Sequence, residues 1–142
     1  MNVNLFSVRI SYLKEIDGKQ KKVTENYLVN GWTFGEVEVR IQNLLKEECL
    51  EFLTIEDISR VKYEEYIPND LLEEPKYYTI KNVYSYIDER GKVKKEKHYY
   101  VVASDSTENA TNLFKAYMSG VNYDLDISGV IETNYLDIFM ES

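Results

Sequence analysis

The sequence predicts an α+β fold: two tandem ββαβ units related by a pseudo-twofold axis, with six mainly antiparallel strands and two helices. Three observations predict it. First, the chain repeats itself. Gly18-Lys19-Gln20-Lys21-Lys22 lies over Gly91-Lys92-Val93-Lys94-Lys95 at an offset of 73, and Asp57-Ile58-Ser59 over Asp126-Ile127-Ser128 at 69. Second, apolar residues alternate before each of those glycines, the period of a half-buried strand. Third, Val37, Ile41, Leu44 and Leu45, and their counterparts Ala110, Phe114, Tyr117 and Met118, fall at helical spacing. Composition agrees with a sheet-rich chain, because 142 residues include 13 tyrosines but only 6 glycines and 2 prolines.

Each element follows in order. Phe6, Val8, Ile10 and Tyr12 line one face of the first strand, and Asp17-Gly18 supplies the positive φ that a tight hairpin needs. The return strand runs near Val23 to Val29. Thr33 and Glu36 stand at capping-box spacing before the first helical stripe. A third strand covers roughly Ile58 to Tyr66. Residues 1–67 therefore form the first repeat. Pro68 and Pro75 break regular structure in a linker over 68–76, since proline lacks a donor and fixes φ. The second repeat, 77–142, places Tyr78, Ile80, Tyr84 and Tyr86 on a strand face, Gly91 at the turn, and Tyr99, Val101 and Ala103 on the return strand. Asp105 and Glu108 read as cap and partner of the second helix, and the last strand runs near Leu125 to Leu136. Whether the strands make one sheet or two stays open.

Charge follows the same plan. The chain carries 17 basic and 25 acidic residues, net −8. Residues 1–40 and 76–103 are net +1 and +4, while 41–75 and 104–142 are net −7 and −6. The global balance weighs against duplex DNA as a partner. The two Gly-Lys-x-Lys-Lys turns still offer local basic clusters, Lys19, Lys21 and Lys22 and then Lys92, Lys94 and Lys95, that can meet phosphates. Trp32, the sole tryptophan, is the aromatic that would stack on a base. Each has an ordinary alternative: lysines at hairpin edges discourage aggregation, and an aromatic before a helix acts as a staple.

Catalytic constellations are sparse. His98 is the only histidine, which leaves one base for any triad, and its strand context reads as solvent-facing. Cys49 follows Glu47 and Glu48, which oppose thiolate formation, so burial as a small apolar residue is expected. Asp124-x-Asp126 and the Glu47, Glu48, Glu51 group are oxygen donors without an EF-hand glycine, and no metal is expected. Phosphate-loop, dinucleotide and nucleophile-elbow motifs are missing, so neither a cofactor nor an enzyme is expected. No apolar run approaches membrane-spanning length and no signal-peptide pattern opens the chain, so a cytoplasmic, non-membrane protein is expected.

The stretch Lys21-Lys22-Val23-Thr24-Glu25-Asn26-Tyr27-Leu28-Val29, followed by Thr33-Phe34-x-Glu36-x-Glu38, resembles a family of small proteins of Bacteroidetes and their phages, catalogued as a domain of unknown function. Asp57-Ile58 and Val102-Ala103-Ser104-Asp105 are similar to its other recurrent blocks. The resemblance brings no catalytic residues. It implies a phage or mobile-element setting, hence the host cytoplasm, with an early regulatory or counter-defence role. The expected function is non-enzymatic sequestration of an anionic ligand, a nucleotide used as a defence signal, with lysines on phosphates and Trp32 or tyrosines on a base. The alternative is a protein-binding or self-assembling module, a homo-oligomer or an inhibitor that masks a host protein by acidic mimicry of nucleic acid. A single-strand binder ranks third and a carboxylate enzyme last.

Overall fold

A computed structural model describes residues 3–120 and 125–140. It overturns the six-stranded tandem ββαβ expectation: among the described residues eight strands form two four-stranded sheets, and the structure is mostly β with two α-helices. The strands are β1 (Val3–Ile16), β2 (Lys19–Asn30), β3 (Glu51–Tyr63), β4 (Glu65–Ile67), β5 (Lys76–Ile87), β6 (Val93–Ser104), β7 (Ile127–Glu132) and β8 (Tyr135–Phe139), with helices α1 (Phe34–Leu45) and α2 (Thr107–Tyr117). The sheet orders are β3-β1-β2-β8 and β4-β6-β5-β7. The chain divides into two compact units accordingly, one built on the first sheet with α1, the other on the second with α2.

The correction lies in β4 and β8. Each pairs in parallel with a return strand, β4 with β6 and β8 with β2. What read as the end of the third strand is β4, just before Pro68, and what read as one last strand is β7 and β8. A parallel partner is reached through a long connection, so no local pattern announces it. The short strand that completes each sheet therefore follows the third strand of the other one along the chain.

In the first unit, β1 and β2 form a two-residue hairpin through Asp17 and Gly18, both at positive φ (53° and 76°), as a tight primed turn demands. Phe6, Val8, Ile10, Tyr27 and Val29 on one face of that hairpin bury against Val37, Ile41 and Leu45 of α1. The Thr33 hydroxyl accepts the Glu36 N–H at 3.1 Å, and the Glu36 carboxylate reaches back to the N–H of Trp32 at 3.2 Å, one residue before the cap. Gly31 is required there, because an added Cβ would come within 2.7 Å of Val37. Phe34 sets its ring edge-on to Phe6 at 5.2 Å, with the Arg60 guanidinium over both rings.

The second unit repeats this arrangement with other residues. Tyr78, Ile80, Tyr100 and Val102 bury against Ala110, Phe114 and Met118 of α2. The cap of α2 is Ser106, which accepts the Asn109 N–H at 3.1 Å, one residue later than the expected Asp105. Asp105 accepts the Asn109 side-chain amide instead. Phe114, fully buried against Tyr100 at 4.8 Å, anchors this core.

Candidate functional site

Register decides which lysines act together, since side chains alternate between the faces of a strand. In the first hairpin Lys21 faces Lys14 directly and Lys19 faces Ile16, on the face that also carries Tyr12. Two like charges opposite each other repel. Lys22 points to the other face. Its ammonium pairs with Glu56 of β3 at 2.9 Å, and Glu56 also accepts the buried Ser11 hydroxyl at 2.5 Å. The Ser11 hydrogen bond, and then Lys22, hold the Glu56 carboxyl below its ordinary value. Lys22 is thus committed to a carboxylate.

Trp32 does not join these lysines. It is 73% exposed, and it lies past the opposite end of β2, a strand about 36 Å long at its usual rise. Its carbonyl accepts Arg60 at 3.1 Å. At the helix entry it is Phe34, the first residue of α1, that packs on the sheet, against Phe6.

In the second hairpin the matching positions carry different chemistry. Lys94 faces Tyr86, Glu96 faces Tyr84, and His98 faces Asn82. The rings of Tyr86, Tyr84 and His98 form a pile, with centroids 6.2 and 5.9 Å apart and planes tilted by 22° and 20°. His98 also meets Glu96 at 3.2 Å, so it is half-buried in this pile and not simply turned to solvent. Tyr86 ends the pile toward the hairpin tip, where the turn is tied by Asp88. Its carboxylate accepts the backbone N–H groups of Arg90 and Lys92, each at 2.9 Å, and Gly91 closes the turn at φ 78°. Arg90, Lys92 and Lys94 stand at this tip with Asp88 and Glu89, and none of the three cations has an ion pair among the described residues. Lys95 faces Ser85 on the reverse side. Of the expected cations, Lys19 and Lys21 share a face with Tyr12 and with the like charge of Lys14, whereas Lys94 lies directly across from Tyr86, with Lys92 two residues nearer the tip. Arg90 escaped sequence reasoning, although the spacing Tyr84-x-Tyr86 beside a basic turn was the available signal.

Other candidates sort differently. Tyr12 and Tyr27 both donate their hydroxyls to Glu25, at 3.1 and 2.8 Å. Burial first, and Glu25 second, push both phenols above their ordinary value, so neither supplies a phenolate near neutrality. Cys49 is exposed, at φ 50° after a single 3-10 turn, which corrects the burial expected for it. Asp124 lies outside the described residues. Asp126 engages Asn82 and Val83 through its backbone. No cluster of three potential metal ligands occurs among the described residues. No helix among them is long and apolar enough to cross a membrane.

Residues 4–141 match the family model described as a domain of unknown function, DUF4494, so the chain belongs to that family. Neither a curated protein nor a solved structure gives a match to the chain.

Proposed function

We propose that this member of the DUF4494 family is a non-enzymatic binding protein that captures an anionic small molecule, a nucleotide, at the tip of its second hairpin. The observation that carries the proposal is the pile of three rings ending at Tyr86, with Lys94 directly across from it. A base stacked beyond Tyr86 continues the pile, and its phosphates fall to Lys94, Lys92 and Arg90 around the Asp88-tied turn. Stacking on an aromatic tolerates any base, so selectivity rests on the phosphate geometry. In the phage or mobile-element setting that the resemblance implies, stoichiometric capture of a nucleotide defence signal in the host cytoplasm is the role such a site would serve.

Isothermal titration with mononucleotides and cyclic dinucleotides tests the proposal. One saturable site per chain whose affinity falls about ten- to a hundredfold in Tyr86→Ala supports it, and unchanged titration in that variant sinks it.

One observation favours the alternative, a protein-binding or self-associating module. A groove of about 650 Å³ between α1 and β8 is lined by Val39, Leu44, Ile138, Phe139 and Met140, with Glu36, Arg40 and Asn43 also on its wall. Sedimentation equilibrium of Leu44→Glu beside the unsubstituted protein separates the readings, because self-association through the groove makes the mass of the unsubstituted protein, but not that of the variant, rise with concentration.

A further inference from the structure

The reverse face of the second hairpin carries a separate basic row. The residues of the second sheet that pack on α2 are Tyr78, Ile80, Tyr100 and Val102. Strand alternation therefore turns Lys81, Val83, Ser85, Lys95, Lys97 and Tyr99 to the opposite face, in the pairs Lys81–Tyr99, Val83–Lys97 and Ser85–Lys95. Lys95 and Lys97 are exposed and sit about 7 Å apart along β6, two residues of strand rise. Lys81 is the diagonal neighbour of Lys97 across the ladder. On its other side Lys81 pairs with Gly129 of β7. That glycine has no side chain, and even an added Cβ would stop 4.0 Å from the Lys81 stem. None of these paired positions is acidic, although Glu64 borders Tyr99 through its N–H to the Tyr99 carbonyl at 2.7 Å and Asp126 borders Val83 through its carbonyl at 2.8 Å, and none of the three lysines has an ion-pair partner among the described residues.

We infer that this face binds a short stretch of single-stranded nucleic acid, with Lys95, Lys97 and Lys81 on successive phosphates and Tyr99 under a base. A row of cations at strand spacing, interrupted by an aromatic, is the chemistry that tracks an extended phosphodiester chain without reading its sequence. A rigid duplex is disfavoured by the net charge of −8, whereas three local contacts need only a few nucleotides. The site is distinct from the nucleotide pile, which occupies the other face of the same hairpin. The two therefore fail independently.

The test is fluorescence anisotropy of a labelled oligothymidylate of about a dozen residues at low salt. Neutralising three phosphates predicts a slope of log affinity on log salt of about −2. Lys95→Glu with Lys97→Glu, both exposed and so tolerated by the fold, weakens binding at least about tenfold, while Lys19→Glu with Lys21→Glu, the same charge change on the first hairpin, leaves it unchanged. Tyr99→Leu weakens the oligonucleotide but not inorganic polyphosphate. Undiminished binding in the lysine variant, or no binding by the unsubstituted protein at low salt, overturns the assignment. Equal loss of both ligands in Tyr99→Leu overturns it in favour of a general polyanion surface.

Discussion

Where the first hairpin sets Lys14 against Lys21, the second sets Tyr86 against Lys94, and where the first joins Tyr12 to Glu25, the second stacks Tyr84 on His98. The turns share their lysines, yet the neighbours change what those lysines can do. In the first hairpin the aromatic hydroxyls are drawn to a carboxylate, and Lys22 is paired with Glu56. In the second, Lys94 lies across the ladder from Tyr86 and Lys95 from Ser85. A recurrent basic motif is therefore not a recurrent site. The cross-strand partner, set by register, decides whether a lysine is neutralised, repelled or placed beside a stacking surface.

The comparison can be broken most sharply by reversing charge on one hairpin at a time. Lys92→Glu with Lys94→Glu removes two charge-assisted contacts and is expected to weaken nucleotide binding by about a hundredfold or more, measured by titration calorimetry. Lys19→Glu with Lys21→Glu should leave it nearly unchanged. A smaller loss follows from Tyr86→Ala, about ten- to a hundredfold for a stacked base, whereas Tyr12→Ala should cost nucleotide affinity nothing.

Two pH profiles sharpen the contrast further. The lowered Glu56 carboxyl favours the folded state above the ordinary carboxylate range, and this contribution is lost as pH falls through its depressed value. In urea melts the unsubstituted protein should lose its advantage over Glu56→Gln as the solution is acidified, because protonation also releases Lys22. Tyr27 behaves in the opposite sense. Its raised pKa stabilises the fold below the ordinary phenol value of 10.0, and that contribution fades as pH rises toward the folded value. Tyr27→Phe should therefore flatten the alkaline arm of the stability curve. The smallest effects are expected at the caps, where Thr33→Ala and Ser106→Ala each cost about 1 kcal/mol in chemical denaturation.

Much of this was legible in the sequence, for reasons that can be named. Asp17-Gly18 fixes a turn because few residues accept two successive positive φ values, and Val37, Ile41 and Leu45 declare a buried helical stripe by spacing alone. Thr33 was readable as a cap, but Asp105 and Ser106 are both capping residues, and only geometry separates them. The short strands β4 and β8 were not readable, since their partners are distant in sequence and β8 places exposed Leu136 and Asp137 side by side. The candidate site was half visible. The lysines stood out, but the pile of Tyr86, Tyr84 and His98 depends on the register between β5 and β6, which no single strand encodes.

The most direct measurement is native mass spectrometry of protein freshly purified from cells and then exposed to a nucleotide panel. The expected result is a single nucleotide adduct per chain that survives Lys19→Glu/Lys21→Glu and vanishes in Lys92→Glu/Lys94→Glu. An adduct that persists in the second-hairpin variant, or one lost only with the first-hairpin lysines, would contradict the account.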